Sequence, residues 1–156
     1  MLSHPTKHLV FVYGTLKEGF PNFSKNKGIR LPGVYRTVER YPFYLMGERF
    51  SPWLINKPGH GERVSGQLFE VDSDALATMD TLERVDLPDG YRRVALALES
   101  AQDDCNRLFS AFAYLKQVEH VEPSMVRAGC LSDYTLEHAA LYQPRAEYCS
   151  TLQPGP

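Results

Sequence analysis

Apolar side chains are concentrated in a run near the start of the chain and predict a buried strand there. Residues 9–12, Leu-Val-Phe-Val, lead into Tyr13-Gly14-Thr15-Leu16 and a glycine-bearing turn that ends at Gly19. Such a turn leaves several backbone N–H groups without strand partners, so side chains, water or a ligand must satisfy them. A carboxylate would suit these donors; an ordinary strand followed by a reverse turn is the alternative interpretation.

Further short apolar runs, separated by turn signals, predict several more strands. Pro58-Gly59-His60-Gly61 is one such turn, and Gly66 inside a later run marks either a close approach or a bulge. Residues 91–98 and 108–115 flank a polar turn at 102–106 and predict an antiparallel hairpin. The predicted strands cover residues 9–12, 34–38, 41–46, 50–55, 63–71, 91–98 and 108–115.

One amphipathic helix is predicted from Ser73 to about Arg84. Asp72-Ser73-Asp74 supplies the capping chemistry for its first turn. Apolar residues then recur at helical spacing, at Ala75, Leu76, Met79 and Leu82. Elsewhere the pattern predicts only a loop or short irregular helix at 20–28 and short helical turns at 123–128 and 136–141. Many short strands with one central helix indicate an α+β fold or a small closed β-barrel, and we favour the barrel.

The size and charge of the chain limit its possible partners. With 156 residues it is long enough for one domain with a substantial core. Its apolar content of 43% and charged content of 23% are ordinary, and its formal net charge is −2. That charge gives no electrostatic reason to expect binding to nucleic acid or to an anionic membrane. A small neutral or polar ligand is the partner we expect.

The cysteines and the first residues of the chain bear on its location. Cys105, Cys130 and Cys149 are odd in number and widely spaced, without a paired metal-ligand pattern, so we expect free thiols in a reducing compartment. The polar residues 3–8 do not form the start of a signal peptide, and no apolar run approaches membrane-spanning length. We therefore expect a cytoplasmic protein.

Glu83 is the most informative ionisable residue. With Leu76 as the reference and about 100° per residue, Glu83 lies near 340° on the predicted helix, within the apolar stripe. Burial and the negative end of the helix dipole should raise the pKa of its carboxyl group, which is how a general base is tuned. Asp80, at the edge of the same face, would add like-charge repulsion. In the alternative interpretation the last turn is frayed, and Glu83 is solvated or paired with Arg84 or Arg92.

Other candidate residues point less clearly to chemistry. Thr15 has no obvious base beside it, so its hydroxyl is expected to form local hydrogen bonds. The five histidines have no metal-ligand spacing, and no catalytic role is assigned to them. Tyr91 and Tyr114 lie on the two strands of the predicted hairpin; each is either a core tyrosine with a satisfied hydroxyl or a ligand contact.

A set of short motifs follows the chain from its first strand to its C-terminal part. In chain order they are Phe-Val-Tyr-Gly-Thr-Leu-Lys at 11–17, Pro21-Asn22, Pro52-Trp53-Leu54, Pro58-Gly59-His60-Gly61, Gly66, Met-Asp-Thr-Leu-Glu at 79–83, Tyr91-Arg92-Arg93 and Tyr142-Gln143-Pro144-Arg145. Taken together, these motifs resemble the γ-glutamylcyclotransferase-like family, and most closely its γ-glutamylamine cyclotransferases. The resemblance extends from Leu9 to Arg145, so we expect the core of a single domain, residues 1–156, at about 9–145 with a frayed tail at 150–156.

The resemblance implies a small mixed β-barrel with flanking short helices and a metal-free enzyme without cofactors. Its substrate is a small γ-glutamyl compound, which cyclises to 5-oxoproline and releases an amine. Tyr13, Gly14, Thr15 and Leu16 would bind the α-carboxylate, largely through backbone N–H groups. Glu83 matches the catalytic glutamate and would take a proton from the α-amino group. Tyr91 and Tyr114 are the remaining candidate substrate contacts.

Two departures from the family pattern leave the leaving amine open. The segment between Glu83 and Tyr91 is longer than in the animal enzymes, and Phe20 and Phe23 replace more polar residues; these positions could line the leaving-group side. A γ-glutamyl-ε-lysine, a peptide and a γ-glutamyl-protected metabolite all fit. A non-catalytic module that binds a carboxylate at the Tyr-Gly-Thr-Leu turn is the alternative function. The oligomeric state is left open.

Overall fold

Short strands arranged in two sheets make up most of the structure. It is a computed structural model that describes residues 7–102 and 107–144. The larger sheet contains β1 (Lys7–Val12), β2 (Ile29–Arg30), β3 (Tyr35–Thr37), β6 (Ser65–Asp72), β7 (Arg92–Ser100) and β8 (Leu108–Leu115). The smaller sheet contains β4 (Phe43–Met46), β5 (Ser51–Leu54) and β9 (Val126–Ala128). The helices are α1 (Ser73–Leu82) and α2 (Leu136–Ala139), with 3-10 turns at Phe23–Lys25, Val118–His120 and Pro123–Met125.

The larger sheet closes on itself. Its strand order is β1-β8-β7-β3-β6, and β6 pairs in turn with β1, while β2 pairs with β6 as well. β1 runs parallel to β8, with Val10 opposite Phe112, and the other pairs are antiparallel. The predicted α+β fold is confirmed, and the closed sheet is a mixed one because of the single parallel pair.

Side-chain alternation along β1 and β6 divides the core into two clusters. Successive side chains of a strand point to opposite faces. Phe11 and Leu68 therefore pack inside the ring of strands, in a cluster that includes Leu98 and Leu115. Their neighbours along the strands, Val10, Val12 and Phe69, belong to a second cluster, which also includes Val71 and the α1 residues Leu76 and Met79. Both faces of β1 are thus buried, and its end is held in place from both sides.

Most predicted elements are present, with small differences at their ends. The β7–β8 hairpin and the helix from Ser73 are as predicted, although the helix ends at Leu82 and not at Arg84. Pro123–Met125 forms the predicted helical turn, but Val126–Ala128 forms a strand, and β2 was not predicted. Residues 103–106 of the predicted turn, the tail at 150–156, Cys105 and Cys149 lie outside the described residues.

Two glycines allow backbones to approach closely beside the end of β1. A Cβ atom at Gly66 would lie 2.4 Å from the Val12 carbonyl oxygen and 2.7 Å from the Phe11 ring. A Cβ atom at Gly14 would lie 2.9 Å from Cγ of Pro52. Gly66 therefore marks a close approach, one of the two predicted meanings, and Gly14 lets the turn after β1 rest on β5.

Within residues 7–102 and 107–144, no helix combines the length and the apolar character that are needed to cross a membrane.

Candidate active site

A cavity lies where the turn after β1 meets the end of α1. It contains about 660 Å³ of space unoccupied by protein, its open mouth included. All seven residues that the sequence singled out line its wall: Tyr13, Gly14, Thr15, Leu16, Glu83, Tyr91 and Tyr114. The structure therefore brings together residues that lie up to about 100 positions apart in the sequence, from Tyr13 to Tyr114.

The turn after β1 provides backbone donors at this cavity. It is closed by hydrogen bonds from the Lys17 N–H to the Gly14 carbonyl at 3.1 Å and from the Asn22 N–H to the Thr15 carbonyl at 2.8 Å. The Asn22 side chain also donates to the Thr15 hydroxyl at 2.9 Å, which agrees with the local role predicted for that hydroxyl. Among the described residues, none accepts a hydrogen bond from the N–H of Gly14, Thr15 or Leu16. These three N–H groups are therefore available to a ligand.

A buried lysine ties the same turn to the C-terminal segment. Lys17 is buried, and its ammonium donates to the Tyr134 carbonyl at 2.5 Å and lies 3.4 Å from the Asp133 carboxylate. Burial lowers the pKa of Lys17, and the charge of Asp133 opposes that shift. Asn26, also buried, donates to the Leu16 carbonyl at 3.1 Å. Lys17 and Asn26 thus fix the turn through buried hydrogen bonds, and neither residue lines the cavity.

Glu83 occupies the C-terminal cap of α1, and its backbone is fixed on both sides. Its N–H donates to the Met79 carbonyl at 2.9 Å, and its carbonyl accepts from the Tyr91 N–H at 3.0 Å. The residue is half-buried. Arg92 donates to the carbonyls of Val85 and Leu87. The frayed last turn of the alternative interpretation is therefore wrong. The raised pKa expected for Glu83 stays a prediction.

Three of the four tyrosines on the cavity wall donate their hydroxyl protons to protein acceptors. Tyr13 donates to the Tyr114 carbonyl at 2.5 Å, Tyr91 to the Pro52 carbonyl at 2.9 Å, and Tyr114 to the Asp80 carboxylate at 2.7 Å. Burial raises the pKa of Tyr13 and of Tyr114, and the nearby charge of Glu83 adds to both shifts. The phenols of Tyr13 and Tyr114 therefore stay neutral at physiological pH.

Asp80 is neutralised rather than left as a second free charge. Its Oδ2 accepts from Arg93 at 2.7 Å, and its Oδ1 accepts from the Tyr114 hydroxyl at 2.7 Å. The like-charge repulsion predicted between Asp80 and Glu83 is consequently weakened by the guanidinium of Arg93.

The family is identified by comparison with known proteins. The profile of the family described as "Gamma-glutamyl cyclotransferase, AIG2-like" matches residues 10–148. The chain belongs to this family. A "Gamma-glutamylaminecyclotransferase" of Bos taurus is 36% identical over 145 residues, which are 87% of this chain and 82% of that protein. "Gamma-glutamylaminecyclotransferase B" of Danio rerio is 40% identical over 114 residues, which are 69% of this chain but only 59% of that protein.

The fold of this γ-glutamyl cyclotransferase family member is shared with a solved structure. The crystal structure of an AIG2-like protein from Mus musculus superposes with a TM-score of 0.75 at 31% sequence identity. The match covers 89% of this chain and 97% of the mouse protein. The family resemblance inferred from the motifs is therefore confirmed.

Several wall residues of this γ-glutamyl cyclotransferase family member were not predicted as site residues. Arg49 lies in the short turn between β4 and β5, and Ser51 is the first residue of β5; no periodic pattern points to either of them. Tyr142 accepts a hydrogen bond from Asn22 at 3.3 Å. Asn22 and Tyr142 appeared in the sequence motifs, but only the folded chain shows that they line one wall with Thr15.

Phe20 and Phe23 are not among the residues that line this cavity. The Phe20 ring packs 5.8 Å from the Tyr134 ring, and the Phe23 ring packs 6.0 Å from the Phe69 ring. Both side chains are partly buried and pack against the core. Their proposed position on the leaving-group side of the cavity is therefore wrong.

Metal ligands and cysteines complete the inventory of reactive side chains. Across the part of the chain that the structure describes, no three His, Cys, Asp or Glu residues are grouped so that they could hold a metal ion. Cys130 is a free, exposed thiol.

Proposed function

We propose that this protein is a γ-glutamyl cyclotransferase that acts on γ-glutamylamines. Cyclotransferase activity is the function that the family and the names of its relatives support, and they do not favour a non-catalytic module. The observation on which the proposal mainly rests is that Glu83 lines the same cavity as the three N–H groups for which the described residues offer no acceptor. The N–H groups can donate hydrogen bonds to the α-carboxylate of an amino acid, and the carboxylate of Glu83 can accept a proton from its α-ammonium.

In the proposed reaction the substrate attacks itself. The N–H groups of Gly14, Thr15 and Leu16 bind the α-carboxylate of the γ-glutamyl group, and Glu83 takes a proton from its α-ammonium. The free amine nitrogen attacks the γ-carbonyl carbon, a new C–N bond closes the ring, and the old amide C–N bond breaks. The proton held by Glu83 passes to the departing nitrogen. The ring nitrogen loses its second proton to Glu83 as it becomes the lactam amide, and that proton also passes to the departing amine, so that 5-oxoproline and an alkylammonium are released.

Positioning explains why so few groups are sufficient. The attack is intramolecular, so the protein gains most by folding the substrate into a reactive shape and supplying one base. Tyr91 and Tyr114 contribute to that positioning as part of the wall. Each proton in this route moves between Glu83 and the substrate, and the route requires neither metal nor cofactor.

The leaving amine is proposed to lie toward Arg49 and Tyr91. These two residues also line a neighbouring cavity, together with Trp53, Lys116 and Asp89. The ammonium of Lys116 lies 4.4 Å from the centre of the Trp53 ring and donates to the Asp89 carbonyl. The substrate is therefore expected to extend past Arg49 once its γ-glutamyl end is bound.

The finer expectations from the sequence belong to the same proposal. We infer a single domain, a cytoplasmic location and a small-molecule γ-glutamyl substrate, without binding to nucleic acid or membrane. The exposed free thiol of Cys130 supports a reducing compartment, and the net charge of −2 supports a small-molecule partner.

The test is release of 5-oxoproline from a panel of γ-glutamyl compounds that differ in the amine: γ-glutamyl-ε-lysine, a γ-glutamyl peptide and a γ-glutamyl alkylamine. We expect turnover of at least one of them, and the ranking identifies the leaving group. Folded protein that releases 5-oxoproline from none of the panel would contradict the proposal. If 5-oxoproline still raises the melting temperature in that case, the non-catalytic module is supported.

Glu83→Gln is the first variant to examine. It keeps the side-chain volume and removes the base, so we expect kcat to fall by about 100-fold or more, with substrate affinity and melting temperature nearly unchanged. Glu70→Gln, an exposed carboxylate on β6, is the matched control and should retain full activity. Normal turnover by Glu83→Gln would show that another group is the base.

A further inference from the structure

The hydroxyl of Tyr114 can offer only lone pairs to a ligand. A phenol has one proton to donate, and that of Tyr114 is donated to Oδ1 of Asp80 at 2.7 Å. The other oxygen of Asp80 is occupied by Arg93, also at 2.7 Å. Arginine is a donor without an acceptor, so the carboxylate must accept from both neighbours. Asp80 thereby fixes the direction of the Tyr114 O–H bond.

The neighbouring hydroxyls have the same polarity. The protons of Tyr13 and Tyr91 are donated to the backbone carbonyls of Tyr114 and Pro52. Around Glu83 the wall therefore presents phenol oxygens as acceptors, whereas the turn after β1 presents N–H donors. The lining thus combines backbone donors of the turn with phenol oxygens whose protons are already donated, and Arg49 is a further donor on the same wall.

We propose that Asp80 and Arg93 are positioning residues that orient the Tyr114 hydroxyl to accept a hydrogen bond from the α-ammonium of the γ-glutamyl group. The inference rests on the proposed function and deepens it, because it assigns the group that holds the reacting nitrogen. The backbone donors match the α-carboxylate, and the phenol acceptors match the α-ammonium. A γ-glutamyl compound with an acylated α-nitrogen lacks the positive charge and keeps only one of the three N–H donors.

Asp80→Asn is the decisive substitution because it reverses the polarity of Tyr114. Arg93 can only donate, so the oxygen of the new amide turns toward Arg93 and its NH₂ group turns toward Tyr114. The Tyr114 oxygen then accepts from that NH₂, and its own proton points into the cavity, against the substrate ammonium. We expect KM to rise about 10-fold while kcat changes by less than about 3-fold, the range for one hydrogen bond to a charged group.

Two double variants separate positioning from a merely structural role. In Asp80→Asn/Arg93→Met the amide oxygen is free to face Tyr114 again, so we expect KM to fall back toward the wild-type value. In Asp80→Asn/Tyr114→Phe we expect no further loss beyond that of Tyr114→Phe alone, since Asp80 acts through the hydroxyl. Asp74→Asn, an exposed carboxylate on the same helix, is the control.

A pair of ligands tests the same contact without turnover. In a Glu83→Gln background, glutamine carries the α-ammonium, whereas its deamino analogue, glutaric acid monoamide, does not. Adding Asp80→Asn should weaken glutamine binding about 10-fold, measured by calorimetry, and leave the binding of the deamino analogue unchanged.

The outcomes are distinct from those of the proposed function. Losses that multiply in the double variants, or equal weakening of the two ligands, would overturn the positioning role of Asp80. Rescue by Arg93→Met together with selective weakening of glutamine would support it. Absence of 5-oxoproline release by the wild-type protein would instead contradict the proposed reaction, while the ligand pair would still decide how Tyr114 is oriented.

Discussion

At the scale of single residues, Tyr134 is a buried side chain whose hydroxyl has no hydrogen-bond partner among the described residues. Its ring packs against Phe20, Phe43 and His138. Because an unsatisfied buried hydroxyl costs free energy, Tyr134→Phe should raise the free energy of unfolding by about 1 kcal/mol, as measured by urea denaturation.

The matched control for Tyr134 is the same atom deletion at a satisfied hydroxyl. Tyr91→Phe removes a hydroxyl that donates to the Pro52 carbonyl at 2.9 Å, and it should lower the free energy of unfolding by about 1 kcal/mol. Equal destabilisation by both substitutions would contradict this account of Tyr134.

Single residues also show how much of the site a sequence can reveal. Glu83 could be predicted because helical spacing places it on the apolar stripe of α1, and the turn at 13–16 because it follows a buried strand. Arg49 could not be predicted, because it lies in a short turn. A turn has no helical or strand periodicity from which the direction of its side chains could be inferred. The role of Asp80 was missed for another reason: its partners, Arg93 and Tyr114, lie on the strands β7 and β8.

At the scale of elements, the β1–β6 pair depends on a glycine. A Cβ atom at Gly66 would lie 2.4 Å from the carbonyl oxygen of Val12, which is backbone and cannot move aside without breaking the pairing. We expect Gly66→Ala to lower the free energy of unfolding by about 3 kcal/mol, and to reduce activity because the turn after β1 is displaced.

Gly59→Ala provides the comparison for Gly66. Gly59 has a positive φ of 93°, but an added Cβ atom would meet no atom of the described residues within 4 Å beyond its own chain neighbours. The expected cost is therefore the conformational one of about 1–2 kcal/mol. A Gly66→Ala variant that is no less stable than Gly59→Ala would show that the strands can separate without penalty.

Elements differ in how well the sequence predicts them. The β7–β8 hairpin and α1 are long and have clear periodicity, and both were predicted. β2 and β9 are two and three residues long, too short to show a period, and they exist because β6 and β4 offer them edges. Short elements of this kind are determined by tertiary contacts, which one sequence does not display.

At the scale of the whole molecule, buried tyrosines determine the response to alkali. Burial is the main cause that raises the pKa of Tyr13, Tyr114 and Tyr134 above the usual 10.0. A raised folded-state pKa stabilises the protein below the unfolded pKa, and this stabilisation is lost as the pH rises above it. Stability should therefore fall above about pH 10, by about 1.4 kcal/mol per pH unit for each tyrosine that is ionised only when unfolded.

Lys17 has the opposite effect on the pH dependence of stability, and it acts over a lower pH range than the tyrosines. Its pKa is lowered from 10.5, so its contribution to stability rises with pH until the unfolded lysine is also neutral. Urea denaturation between pH 8 and about pH 11.5 tests the balance, and Tyr134→Phe should make the alkaline decline shallower. A decline of unchanged slope in that variant would contradict the assignment.

The closure of the larger sheet was only partly predictable from the sequence. Many short strands with few helices indicated a closed arrangement, but no pattern in β1 identifies β6, about sixty residues away, as its partner. The two strands pair because both faces of β1 are buried in the two core clusters, and this burial exists only in the folded chain.

The fixed ends of the segment at 84–90 have a consequence for divergence among related proteins. The Tyr91 N–H donates to the Glu83 carbonyl, and Gly90 lies directly against the Arg84 backbone, so the segment begins and ends at one anchored point. Asp89, in its interior, lines the cavity beside Trp53 and Lys116. Insertions and substitutions between those anchors can therefore accumulate without moving the carboxylate of Glu83. The preference for the leaving amine can then evolve independently of the cyclisation step.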